Sequence, residues 1–218
     1  MTNFGHVISS AMHGLSKDDF DGALPYLMLT SKFESVIRDR LAFCLHQSLQ
    51  PTNHQTQGRY AVGREKTFGR KKRKKVDIVI LERVDSGQQR VPDRPVAILE
   101  VKAVAVPRKA VAFLDKLKGD LDGARKSVSE FDVSTGYFGL LLAREACELD
   151  QISTERNKTI VKYELLDSPQ KNELSDEYRK VIEKLGRLNL SLVSSDKFHC
   201  GEDLGATVNL KWWLFALR

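Results

Sequence analysis

Cysteine is scarce in this chain. Its three residues, Cys44, Cys147 and Cys200, are odd in number and widely spaced, which fits reduced thiols and not a disulfide framework. His199 beside Cys200 is not metal-ligand spacing, so zinc chemistry has no support. No run approaches the roughly 18 uninterrupted apolar residues that span a bilayer. The first residues, MTNFGHVISSAMHGLSKDD, have neither the basic start nor the long apolar stretch of a signal peptide. These absences predict an intracellular, cytoplasmic chain with no membrane partner. A Gly-rich phosphate loop and a nucleophile elbow are also missing, which leaves nothing to support an unrelated α/β enzyme.

What is present is charge, and it is concentrated. The chain has 218 residues and a net charge of +6. Between Arg64 and Lys75 stand eight basic residues (Arg64, Lys66, Arg70, Lys71, Lys72, Arg73, Lys74, Lys75) against the single acid Glu65, so the remainder is close to neutral. A cluster of this kind suits a polyanion such as a nucleic-acid backbone. Two other readings stay open: a solvated loop that keeps the protein in solution, and a nuclear localisation signal of the form GRKKRKK, which would make the chain nuclear.

Length and an ordinary apolar content (41%) suit one domain with a full core. Residues 1–30 show no clean period and form an N-terminal element, loosely helical; residues 31–218 form the domain. From Ser31 to Gln50 the apolar residues Phe33, Val36, Ile37, Leu41, Cys44, Leu45 and Leu49 recur at helical spacing, with Arg38, Asp39 and Arg40 turned mostly away. A short strand is expected near Arg59–Arg64, a second over Lys75–Arg83 and a third over Pro95–Val106. The polar turn between the last two makes them an antiparallel hairpin. A helix over Ala110–Phe131, a buried strand over Thr135–Ala143, a helix within Asp176–Gly186 and strands at Leu188–Val193 and Val208–Leu217 complete the order. The expectation is a mixed α/β domain with helices flanking a central sheet.

Two of these strands carry charges that a dry sheet does not explain. Asp77 interrupts Val76, Ile78, Val79, Ile80 and Leu81; Glu100 and Lys102 interrupt Val96, Ile98, Leu99, Val101 and Val104. Burying an unpaired charge costs several kcal/mol. Side chains two apart share a strand face, so Glu100 and Lys102 point the same way, and Asp77 on the paired strand can lie beside them. Two carboxylates brought together repel, and a divalent cation reverses that cost. A hard ion such as Mg²⁺ takes oxygen ligands. Asp77, Glu100 and the Val101 carbonyl could supply them, with Lys102 beside the attacking water. The competing readings are a charged pair on an edge or solvent-facing strand for Glu100 and Lys102, and for Asp77 a strand-end carboxylate that caps a loop amide or pairs with a nearby lysine.

An Asp on one strand followed by Glu-x-Lys on the next, after one helix and before another helix and strand, resembles the PD-(D/E)xK nuclease superfamily. The resemblance spans 31–143, and Glu100-Val101-Lys102 is the chain's only [DE]-x-K triplet. Val76 stands where the literal motif has proline. The resemblance implies a restriction-endonuclease-like core. It also implies Mg²⁺, replaceable by Mn²⁺, held by Asp77 and Glu100, and Lys102 as the residue that positions or activates the water. The substrate would be nucleic acid, DNA ahead of RNA, cut endonucleolytically to leave 5′-phosphates. Many members add an acid from the first helix, and Glu34 is the candidate; Ser31-Lys32-Phe33-Glu34 is equally a capping box. Arg70, Lys71, Lys72, Arg73, Lys74 and Lys75 are the expected backbone contacts. A homodimer is one way to cut both strands of a duplex. The alternative is a nucleic-acid-binding module that keeps the fold without turnover. Lys109, Lys116 and Arg125 suit a solvated helix face better than phosphate contact. Trp212 and Trp213 suit the core and edge of a last strand better than base stacking.

Overall fold

In a computed structural model of the chain, the residues described are 2–15, 33–50, 59–67, 75–83, 93–105, 110–147, 183–203 and 206–217. Three helices, α1 (Phe4–Gly14), α2 (Glu34–Leu49) and α3 (Ala110–Glu130), accompany six strands: β1 (Tyr60–Thr67), β2 (Lys75–Glu82), β3 (Arg94–Ala105), β4 (Thr135–Cys147), β5 (Leu190–Asp203) and β6 (Ala206–Leu217). The strands form one sheet in the order β1-β2-β3-β4-β6-β5. Only β3 and β4 are parallel, joined across α3, and every other neighbouring pair is antiparallel. The chain is therefore α/β, with a mixed six-stranded sheet flanked by helices.

Strand composition follows sheet position. β2 reads as a nearly continuous apolar run because both of its faces are covered: Ile78 and Ile80 lie in the core under α1 and α2, while Val76, Val79 and Leu81 lie in a second cluster with Ile98 and Val133. β5 is an edge, and its polar segment Ser194–Asp203 extends well past the strand expected to end at Val193. Pairing with β6 sets that length, a determinant that period-two patterning does not contain. β6 lies between β4 and β5, so Trp213 is not an edge residue; Trp212 and Trp213 are both buried, one in each core layer.

The first helix is more regular than its sequence suggests. Asn3 caps it by accepting the His6 N–H, and Ile8, Ala11, Met12 and Leu15 enter the same core as Ile37, Leu41 and Leu45 of α2. On the opposite face, α3 buries Leu117 and Leu121 and returns tightly into β4. A Cβ on Gly136 would collide with Val128 Cγ2, so glycine permits that approach. Arg125 is used here, donating to the Leu188 and Asn189 carbonyls and pairing with Asp122. Residues 183–186 are helical, as expected for the end of the 176–186 segment, whose remainder lies outside the described residues. Among the described residues no helix is long and apolar enough to cross a membrane.

Candidate metal centre

The site forms where two strands part. The β2/β3 ladder ends at Ile78 and Leu99, while β2 stays paired with β1 as far as Lys75. Past that point the β3 edge is left with donors that β2 no longer reaches. Side chains take them: Val101 donates its N–H to Asp77 Oδ2 at 2.9 Å, and Ala103 donates to Glu34 Oε2 at 3.2 Å. Two carboxylates thus replace the missing carbonyls of β2, which satisfies buried backbone groups that would otherwise cost free energy. The N–H and C=O of one strand residue face the same edge, so the Val101 carbonyl opens onto the same gap.

Glu100 and Lys102 lie on the face covered by α3. Lys102 Nζ sits 3.1 Å from Glu34 Oε2 and 3.7 Å from Asp120 Oδ2, held between the start of α2 and the middle of α3. Burial lowers its pKa, but the charge of Glu34, its hydrogen bond, and the charges of Asp120 and Asp77 together outweigh burial and leave it raised. For Glu100 the two largest influences act in one direction. Burial pushes its carboxyl up to about 8, the Asp77 and Asp120 charges add to this, and the Asp77 N–H bond and Lys102 oppose it too weakly.

The five residues proposed from sequence therefore converge: Asp77, Glu100, Val101, Lys102 and Glu34. Glu34 turns its carboxylate to β3, and the N-cap of α2 is Phe33, with no side-chain cap. Two further members were not expected. Arg38, placed by periodicity on the outward side of α2, is instead covered and donates from Nη1 to Asp77 Oδ1 at 3.1 Å. Its position four residues after Glu34, hence on the same helix face, was the signal that could have revealed it. Asp120 stands beside Leu117 and Leu121, on the margin of an apolar stripe, where nothing in the sequence marks it as distinct. Of the basic segment, Lys75 opens β2 and is exposed, two residues before Asp77; Arg70, Lys71, Lys72, Arg73 and Lys74 lie outside the described residues.

The donor set is hard: four carboxyls (Glu34, Asp77, Glu100, Asp120) and a carbonyl, with no sulfur or imidazole among the partners found. Asp120 Oδ2 is buried and has no hydrogen-bond partner among the described residues. Among the described residues no three His, Cys, Asp or Glu side chains form a ready-made metal cage. Mg²⁺ usually binds through one or two carboxylates and keeps several waters, so this oxygen set fits it. Compared with known proteins, the chain matches no family model, no curated protein and no solved structure.

Proposed function

We propose that this chain is a divalent-metal-dependent nuclease of the PD-(D/E)xK type, with a restriction-endonuclease-like core, acting on DNA ahead of RNA. The observation that carries the reading is the parting of β2 from β3, where Asp77 lies against the Val101 amide while Glu34 and Lys102 close the same gap. Asp77, Glu100 and the Val101 carbonyl would hold Mg²⁺ or Mn²⁺. Bound there, the ion supplies the positive charge that phosphodiester hydrolysis requires.

The chain's own groups do the rest. Glu34 and Asp120 fix Lys102 Nζ from two sides, so its charge is aimed without reorganisation at the oxygen that attacks or departs. Burial and the charges of Asp77 and Asp120 push the Glu100 carboxyl up to about 8, so it would give up its proton when the site is loaded. The basic segment, which runs into β2 through Lys75, would lay the phosphate backbone across the site.

The test is incubation of closed-circular DNA, linear DNA and RNA with the protein in Mg²⁺, Mn²⁺ or EDTA, alongside Glu100→Ala and Lys102→Ala. Cutting of closed circles that needs the metal and is lost in both variants is the expected result. Cutting that survives both variants would place the chemistry elsewhere. A second reading, a nucleic-acid-binding module without turnover, is favoured by the ion pairs that already engage Asp77 and Glu34. It predicts that nucleic acid binds whereas Mn²⁺ does not.

A further inference from the structure

Arg38 gives Asp77 a partner that the nuclease pattern does not assign. Its Nη1 lies 3.1 Å from Asp77 Oδ1, and the two side chains are only 16% and 17% exposed. Its Nε lies 3.8 Å from Asp39 Oδ1, and Asp39 is itself paired with Arg64 of β1, the first cation of the basic segment. Arg64, Asp39, Arg38 and Asp77 thus form a row of alternating charge that starts at the basic segment and ends at the site. A guanidinium and a divalent cation against one carboxylate repel each other and compete for its oxygens.

Resting on the reading of Asp77 as a metal ligand, we propose that Arg38 is the resident counter-ion of the site. It holds Asp77 in the metal-free chain and yields Oδ1 as a divalent cation enters, drawing back toward Asp39. Arg64 restrains that retreat, because it occupies the carboxylate to which Arg38 would move. The sign of the effect separates this role from simple support. An arginine that merely holds Asp77 in place would, on removal, leave the ligand slack and weaken metal binding; removal of a competitor tightens it.

The experiment is Mn²⁺ titration of the full chain at pH 8 without nucleic acid, read as free Mn²⁺ by electron paramagnetic resonance. Arg38→Gln should bind about tenfold more tightly than the unaltered chain, the scale of one charge-assisted contact. Arg38→Lys, which keeps the charge, should stay within about twofold. Equal or weaker binding by Arg38→Gln overturns the proposal. Should that variant not fold, Arg64→Gln at an exposed position carries the test, with tightening of about threefold expected and unchanged affinity overturning it. Binding by neither the unaltered chain nor any variant would overturn the metal-site reading as well, whereas equal binding by all of them removes the Arg38 role alone.

Discussion

Val101 donates its main-chain N–H not to a main-chain carbonyl of β2 but to the side chain of Asp77, 2.9 Å away, beyond the last β2/β3 pair. The carboxylate serves the sheet and the site with the same atoms. Its second oxygen accepts from Arg38.

This double use sets the cost of losing it. Asp77→Ala strands the Val101 amide and takes one partner from the Arg38 guanidinium, and should lower stability by about 1–3 kcal/mol. Asp77→Asn keeps an acceptor for Val101 and loses only the charge, so its cost should be smaller. Urea unfolding at pH 7 orders the three proteins; an Asp77→Ala midpoint equal to that of the unaltered chain would show that the amide has another partner.

Glu100 makes stability depend on pH in a defined window. Its carboxyl rises from the ordinary 4.5 to about 8 on folding, so between those values the folded chain holds a proton that the unfolded chain has lost. Stability must then fall as pH rises from about 4.5 to about 8 and level off above, by at most about 1.4 kcal/mol per pH unit from this group. Glu100→Gln cannot lose the proton. Unfolding measured from pH 5 to 9 should show the variant gaining on the unaltered chain as pH increases, and parallel profiles would rule out the shift. Metal affinity should climb across the same window, because binding requires the proton to leave.

The sequence revealed β2 and β3 because they are apolar on both faces and flanked by polar sequence, and α2 because its apolar residues recur at helical spacing. It also singled out Asp77, Glu100 and Lys102 as charges within otherwise apolar strands, and the fold brings them together where β2 and β3 part. Arg38 was missed because helical period assigns a residue to a side of the helix and cannot show that a strand has turned away to admit it. Asp120 was missed because its significance lies in which strand α3 packs against. The length of β5 was hidden for a related reason: an edge strand made of Ser, Asp, Lys and His owes its form to β6 and not to its own residues.

The basic segment makes its own prediction through salt. Replacing Lys71, Lys72, Lys74 and Lys75 with Gln should weaken binding of a short DNA duplex and reduce the slope of log affinity against log salt by about 0.9 for each phosphate contact removed. Lys75 is exposed at the start of β2 and stands two residues before Asp77 in the sequence. A slope unaltered by the four changes would mean that the segment serves solubility or localisation and that the backbone is held elsewhere.

The last prediction concerns Glu34, whose carboxylate both caps the Ala103 amide and pairs with Lys102. A residue that only closed the helix start would be energetically independent of Lys102. A residue of the site would be coupled to it, since each single change leaves the other charge half-buried beside Asp120. A double-mutant cycle of Glu34→Gln and Lys102→Met should therefore return a coupling of about 0.5–3 kcal/mol. Lys102 has its pKa raised above the ordinary 10.5, so its contribution is whole below 10.5 and fades only as pH rises through the higher folded value. The coupling should thus be the same at pH 6 and pH 9. A value near zero at both would return Glu34 to the helix and remove it from the chemistry.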